Sequence, residues 1–96
     1  MSAATAYAYV VKTPGVCGGR ARIEGHRVRV QDVAIDYERL GLSPEEICRE
    51  HPGLTLGQVH AALAYYYDHR EEILAEIEAD REAVEQFKRE NPEAVR

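Results

Sequence analysis

The sequence has no tryptophan, one phenylalanine and two cysteines among its 96 residues. The shortage of large rings predicts a small core, and two cysteines are too few for a disulfide framework. The apolar run at residues 6–11 is too short to cross a membrane and lacks the charged segment that precedes a secretion signal. These absences argue against a disulfide-rich secreted scaffold and a membrane protein, and we expect a cytoplasmic protein without a membrane partner.

The residues that are present suit one globular domain, with 45% hydrophobic and 30% charged side chains. The net charge of −5 counts against nonspecific nucleic-acid binding by the chain as a whole. Residues 1–30 nevertheless carry five basic and one acidic side chains, a balance of +4, whereas residues 31–69 and 70–96 carry −5 and −4. The N-terminal third is therefore a basic module, and this asymmetry is more informative than the average.

Strand patterns come first along the chain. Aromatic and β-branched residues over residues 7–12 predict a strand, and its exposed edge would pair with a second copy in a homodimer. Two short alternating segments around a glycine turn predict a β-hairpin at residues 20–30. Its apolar positions would face the core: Ala21, Ile23, Val28 and Val30. Its arginines would face outward as candidate DNA contacts: Arg20, Arg22, Arg27 and Arg29.

Helical spacing begins at Val30, because apolar residues recur at positions 30, 33, 34, 37 and 40. Ser43 predicts the start of a short second helix, and Thr55 predicts the start of a third. No proline or glycine interrupts the chain after residue 57 until position 92. Residues 55–90 therefore form either one long helix or two helices with a bend at residues 68–70.

The short helix, tight turn and longer helix over residues 43–67 have the order of a helix-turn-helix. The helix that starts at Leu56 would then read DNA, with Gln58 and His60 as its early outward positions. Neither residue is basic, and the helix has no Arg or Lys before Arg70, which is unusual for a reader of the major groove. A plain three-helix core is the alternative interpretation.

A second apolar stripe runs through the acidic C-terminal segment at helical spacing and consists of Ile73, Leu74, Ile77, Val84 and Phe87. It must be covered either by the core of the same domain or by a partner protein, and an extended tail favours the partner. We accordingly divide the chain into a β-hairpin and helix-turn-helix-like domain at residues 1–69 and an acidic amphipathic helical extension at residues 70–96.

No catalytic, cofactor or metal constellation emerges from the sequence. The glycine-rich residues 15–19 lack the Lys-Ser/Thr of a phosphate-binding loop. Cys48 and His51 have the spacing of two metal ligands, but the remaining cysteine and histidines offer no second pair for zinc. Cys17 and His26 could be a nucleophile and base, yet no third group orients them. We expect no enzymatic activity, no metal and no cofactor.

Four blocks occur in an order that resembles the family called domain of unknown function 433. They are PGVCGGRARIEGHRVRV at residues 14–30, GLSPEEI at 41–47, HPGLT at 51–55 and VHAALAYY at 59–66. Ala21 and His26 depart from the family pattern, in which Pro and Thr are common at these positions. The resemblance implies a β-hairpin joined to a helix-turn-helix. It also implies a role similar to antitoxins of the VapB type, which restrain a PIN-like ribonuclease toxin and bind their own promoter DNA.

The predicted fold is mainly α, with an N-terminal strand and β-hairpin followed by a three-helix helix-turn-helix-like bundle and a long C-terminal helix. The first functional hypothesis is an antitoxin-like protein whose C-terminal stripe and carboxylates cover a PIN-like toxin and mask a basic nuclease groove. The alternative is a dimeric DNA-binding regulator that uses the basic hairpin or the helix starting at Leu56. A small enzyme or ligand-binding domain is the third hypothesis, which no polar constellation supports.

Overall fold

The N-terminal part of the chain forms a three-stranded antiparallel sheet. The computed structural model describes residues 3–4 and 6–94, and its strands are β1 (Ala3–Ala4), β2 (Val10–Lys12) and β3 (Arg22–Ile23). β1 pairs with one side of β2, and β3 pairs with the other side. The prediction of an unpaired edge at residues 7–12 is therefore wrong, because β2 is the central strand.

A turn shortens the predicted N-terminal strand. Tyr9 has a φ of +68°, which is uncommon for a residue other than glycine, and the Val10 amide donates to the carbonyl oxygen of Tyr7 at 3.3 Å. The extended segment consequently begins at Val10. The Tyr7 ring lies against Tyr65 with 5.2 Å between centroids, and the Tyr7 hydroxyl donates to Asp68. These two contacts of Tyr7 hold the N-terminal segment against the helix that contains Tyr65 and Asp68.

The predicted hairpin forms with few strand residues. The Ile23 amide donates to the carbonyl oxygen of Val28 at 2.9 Å, and Arg22 pairs with Arg29 as an isolated bridge. Gly25 makes the connecting turn with a φ of +83°, a conformation that favours glycine. The predicted inward positions are confirmed as buried or half-buried against the core: Ala21, Ile23, Val28 and Val30.

Four helices follow the sheet: α1 (Val30–Glu38), α2 (Pro44–Glu50), α3 (Leu56–Asp68) and α4 (Arg70–Glu90). Short 3₁₀ turns lie at Cys17–Gly19 and Pro92–Ala94. The predicted fold class is confirmed: it is mainly α, with N-terminal strands, a helix-turn-helix-like bundle and a long C-terminal helix. Within the described ranges, no helix combines the length and the apolar character needed to cross a membrane.

Local hydrogen bonds set the starts of α2 and α3. The Ser43 hydroxyl accepts from the Glu46 amide at 3.1 Å, and the Glu46 carboxylate accepts from the Ser43 amide at 2.9 Å. Thr55 and Gln58 repeat this reciprocal pattern at the start of α3. Each capping box satisfies amides that a helix end leaves open, so both predicted starts are confirmed.

α3 and α4 are two separate helices that meet at His69, which resolves the alternative left open for residues 55–90. His69 leaves the helical region with a φ of −130° and a ψ of 42°. Its ring stacks on Tyr65 with 4.2 Å between centroids, and its Nδ1 lies 3.1 Å from the Tyr65 carbonyl oxygen. These contacts hold the junction between the two helices.

The core lies where the sheet, α1, α2, α3 and the first half of α4 meet. Its largest fully buried apolar side chains are Ile23, Ile47, Ile73, Val10, Val30, Val33 and Val59. Ile73 and Ile77 of α4 belong to the same cluster as the sheet residues. Apolar packing therefore crosses residue 70, while the division of the chain at that point stays a prediction.

The apolar stripe predicted for α1 is shorter than its spacing indicates, and the first residue of α3 is exposed as well. Tyr37, Leu40 and Leu56 are exposed. α1 ends at Glu38, so Leu40 lies outside the helical spacing that would bring it to the core. Tyr37 is in the last turn of α1, and Leu56 is the first residue of α3. The three exposed residues thus lie at helix ends or just beyond them, where neighbouring elements cover the chain least.

Candidate partner-binding helix and its anchorage

Asp80 of α4 binds the basic hairpin. Arg20 Nη1 donates to Asp80 Oδ1 at 2.8 Å, and Gln31 Nε2 donates to Oδ2 at 2.8 Å. Arg29 Nη1 lies 3.4 Å from the same Oδ2. Burial alone would raise the pKa of the Asp80 carboxyl, but the hydrogen bonds from Arg20 and Gln31 outweigh it and lower that pKa. Asp80 is therefore ionised at neutral pH and ties the middle of α4 to the hairpin.

These contacts correct the prediction that all four hairpin arginines face solvent. Arg20 and Arg29 bind Asp80, so their charges are already paired. Arg22 donates to a threonine hydroxyl at 2.9 Å and to a backbone carbonyl oxygen at 3.0 Å. Arg27 is exposed, and no ion pair of the described residues includes it. The basic module therefore presents one readily accessible arginine instead of four.

The two candidate reading positions of α3 differ in availability. The Gln58 side-chain oxygen accepts from the Thr55 amide at 2.9 Å, so it is engaged in the helix cap. His60 is exposed. α3 contains no Arg or Lys that would bind phosphate. This helix therefore offers few groups for reading DNA.

The predicted stripe of α4 is divided between the core and solvent. Ile73 and Ile77 are buried in the core of the chain itself, so the prediction that they contact a partner is corrected for these two. Leu74 lies on the flank of the helix and is 38% exposed. Val84 and Phe87 are 52% and 54% exposed. The stripe therefore leaves the core between Ile77 and Val84.

Asp80 occupies the position at which the stripe leaves the core. Positions 73, 77, 80, 84 and 87 are spaced four, three, four and three apart and lie on one face of α4. The sequence reasoning missed Asp80, although a charged residue within an otherwise apolar face is a readable sign of a paired charge. One face of α4 thus has a buried part, a charged anchor and an exposed part.

The distal half of α4, residues 81–90, projects from the body of the protein. Ten helical residues span about 15 Å, and no side chain of residues 81–93 is buried. Arg81 pairs with Glu78, and Lys88 lies 3.9 Å from Glu85, both at i, i+3 spacing. Such pairs stabilise an exposed helix only slightly, because water and salt screen them. This half is held by its own helical contacts and by Asp80, without burial.

Further carboxylates on α4 face the sheet. Lys12 Nζ lies 3.1 Å from the Glu72 carboxylate, which also accepts from the Tyr65 hydroxyl at 2.9 Å. One turn further on, Glu76 has a buried Oε1 that finds no hydrogen-bond partner among the described residues. Burial, followed by the charge of Glu72, raises the pKa of Glu76. Two paired carboxylates, Glu72 and Asp80, thus flank one whose buried oxygen is unpaired.

Both cysteines and His51 have structural partners. His51 Nε2 lies 2.8 Å from Asp36 Oδ2, and Cys48 packs half-buried against the core. Cys17 Sγ donates to the carbonyl oxygen of Arg27 at 3.5 Å. Across the described residues, no cluster of three or more His, Cys, Asp or Glu side chains is arranged to hold a metal ion.

Comparison with known proteins places this architecture in a family. The family described as protein of unknown function (DUF433) matches residues 10–66, which include β2, β3, α1, α2 and most of α3. A crystal structure of a DUF433 member protein from Anabaena variabilis is 39% identical in sequence, with a TM-score of 0.64, and the match covers 72% of this chain and 67% of that chain. No curated protein matches the chain. The chain belongs to the DUF433 family.

Proposed function

We propose that this chain is an antitoxin-like, non-enzymatic protein that restrains a PIN-like ribonuclease by placing the distal half of α4 in a groove of that partner. The observation that carries the proposal is the exposure of Val84 and Phe87. They continue a helix face whose preceding apolar residues, Ile73 and Ile77, are buried. An apolar face that runs from a core into solvent favours a surface that a partner covers.

The geometry suits recognition of a helix by a groove. In this mode an amphipathic helix inserts apolar anchors at i, i+3, i+4 or i+7 spacing. Val84 and Phe87 are three residues apart and share a face of α4. Because residues 81–90 are already helical, binding would not require the helix to form, and the ordering cost would be low.

The charges of the distal half of α4 indicate what kind of partner groove it would fit. Residues 81–90 carry three acidic and three basic side chains, a balance of zero. Arg81 and Lys88 lie beside the apolar stripe, and each is paired with a glutamate three residues before it. We therefore propose a groove with an apolar floor and a rim of mixed charge, in place of the basic groove expected from the sequence. The family resemblance supports a PIN-like ribonuclease as the partner that carries this groove.

Promoter binding is the second candidate function. The order of α2 and α3 and the exposed Arg27 favour it. The ion pairs that Arg20 and Arg29 make with Asp80 count against it, because those charges would have to leave Asp80 to neutralise phosphates. If this chain binds DNA through the hairpin, Arg27→Ala should reduce the dependence of log K on log salt by about 1.

The test of the first proposal is the double variant Val84→Glu/Phe87→Glu, titrated by calorimetry against a purified PIN-like ribonuclease. An interface anchor contributes about 2 kcal/mol or more, which is about 30-fold in affinity. We therefore expect the double variant to lose at least about 100-fold in affinity. Leu56→Glu is the control, because it places a single new glutamate at an exposed leucine of α3.

Circular dichroism should show that both variants retain the wild-type helix content, since all three positions are exposed. Loss of affinity in the α4 variant with wild-type affinity in Leu56→Glu supports the proposal. Wild-type affinity in the α4 variant, or no binding by the unaltered chain, would refute it.

A further inference from the structure

A second exposed apolar surface lies away from the distal half of α4. It consists of Tyr37, Leu40, Tyr67 and Leu74 and is called here the tyrosine patch. The exposed fractions are 38% for Tyr37, 63% for Leu40, 46% for Tyr67 and 38% for Leu74. The four residues come from the end of α1, the end of α3 and the start of α4.

Contacts around Glu38 bring these segments together. Arg70 Nη1 donates to Glu38 Oε1 at 3.2 Å, and the Arg70 guanidinium lies 5.8 Å from the centre of the Tyr67 ring. Desolvation, followed by the Glu38 carboxylate, raises the pKa of the Tyr67 hydroxyl, and Tyr37 adds to this shift. Tyr37 and Tyr67 are therefore electrostatic neighbours at the junction of α1 and α3.

Leu74 lies between the Arg70–Glu38 ion pair and a weaker electrostatic interaction of α4 with the end of α1. Arg70, one turn before Leu74, binds Glu38. Glu78, one turn after it, has a pKa lowered by the hydrogen bond from Arg81, with Arg39 adding to the effect. Because Glu38 and Arg39 follow each other at the end of α1, Leu74 faces the side of the molecule where that helix ends. Tyr37, Tyr67 and Leu74 thus lie near the Glu38–Arg70 ion pair, and Leu40 follows Glu38 by two residues.

The charges of the patch favour a partner with the same balance of signs. Glu38 pairs with Arg70 and Glu78 pairs with Arg81, while Arg39 and Glu71 are of opposite sign, so these charges balance within a chain of net charge −5. A nucleic acid or a strongly basic protein would match only half of these charges. A second copy, related by a two-fold axis, presents equal numbers of both signs and can place each opposite its complement.

The exposed apolar area of the tyrosine patch is closer to the area that a dimer interface buries than the apolar area of the distal half of α4 is. Taking about 200 Å² for a tyrosine and slightly less for a leucine, the four residues expose roughly 350 Å² per copy, or about 700 Å² in a dimer. A standard interface buries about 1,600 Å², of which somewhat more than half, about 900 Å², is non-polar. The patch supplies most of that share, whereas Val84 and Phe87 would supply only about 400 Å² from two copies.

We propose that the tyrosine patch is the interface of a homodimer of this chain. This inference is independent of the proposed toxin-binding role, because it uses other residues and needs no other protein. In the dimer, the ends of α1 and α3 and the start of α4 meet their counterparts across the two-fold axis. The edge predicted at residues 7–12 is not part of this interface, since β2 is already paired on both sides.

The test is sedimentation equilibrium of the full chain over a concentration series. The unaltered chain should reach twice its mass of 10.8 kDa. Leu40→Glu/Leu74→Glu should stay at the mass of one chain, because two like charges in each patch would face their copies. Val84→Glu/Phe87→Glu is the matched control with two new glutamates and should dimerise like the wild type. Leu40→Glu alone, at the most exposed position, provides a milder variant whose fold is least at risk, and it should shift the equilibrium at least tenfold towards the monomer.

A monomeric wild type throughout the series would overturn the proposal. So would a Leu40→Glu variant that dimerises as the wild type does, or loss of the dimer in the α4 control. The two proposals fail separately, because toxin affinity is measured on the α4 variant and self-association on the patch variants.

Discussion

Replacing Asp80 with alanine should loosen the attachment of α4 to the hairpin. Asp80 accepts hydrogen bonds from Arg20 and Gln31 and lies within ion-pair distance of Arg29. Alanine removes all three contacts without adding bulk. The buried isoleucines of α4 remain, so the fold should persist with a lower free energy of unfolding.

The magnitude follows from the groups that the substitution leaves behind. Gln31 is 1% exposed, and an unsatisfied buried donor costs about 1–3 kcal/mol. The ion pairs with the arginines are partly exposed and contribute about 0.2–1 kcal/mol each. We therefore expect a loss of about 2 kcal/mol, which lowers the Tm of a domain of this size by about 8–16 °C.

The stabilising contribution of Asp80 should decrease as the pH falls. The pKa of Asp80 is lowered in the folded chain, so its stabilising contribution is present above the unfolded pKa of about 3.9 and is lost as the pH falls through the folded pKa. The stability difference between wild type and Asp80→Ala should therefore narrow below about pH 4.

The assay is urea unfolding followed by circular dichroism, with Glu82→Ala as the control. Glu82 is exposed on the same helix, and its removal should change the free energy of unfolding by less than about 0.5 kcal/mol. An Asp80→Ala variant that differs from wild type by no more than this control would refute the anchoring role of Asp80.

Three further perturbations test other parts of the structure. Glu76→Gln should raise the free energy of unfolding near pH 7 and leave it unchanged near pH 4. The raised pKa of Glu76 means that the folded state favours the protonated acid, and this contribution to stability is lost as the pH rises. Equal urea midpoints of the variant and the wild type at neutral pH would contradict this. Ile73→Ala should lower the free energy of unfolding by about 2–5 kcal/mol, whereas Val84→Ala should lower it by less than about 0.5 kcal/mol. Similar losses in the two variants would show that the distal half of α4 is packed. Ser43→Ala should cost about 1 kcal/mol through loss of the α2 cap, and thermal unfolding that is unchanged would argue against the capping box.

Features that depend on neighbouring residues could be predicted from the sequence. Ser43 and Thr55 cap their helices through groups three residues away, and the alternation around Gly25 is confirmed by the burial of Ile23 and Val30. The break at residue 69 was one of two alternatives, because periodicity alone does not separate a long helix from two helices joined at one residue.

Features that depend on distant residues could not be predicted. Arg20 and Asp80 are 60 residues apart, and the outward alternation of the hairpin gave no reason to pair them. Tyr9 has a left-handed backbone conformation that its strand-forming side chain disfavours, so the strand was predicted to be too long. The structure therefore differs most from the predicted site where an ion pair joins residues that lie far apart in the sequence.

Hydrogen exchange of the backbone amides, measured with and without the PIN-like partner, tests the central claim most directly. In the free chain, residues 81–90 should exchange faster than α3, because none of their side chains is buried. Binding should slow exchange over residues 81–90 and leave α3 unchanged. Protection confined to the hairpin or to α3, with residues 81–90 as fast as in the free chain, would contradict the claim that the distal half of α4 binds the partner.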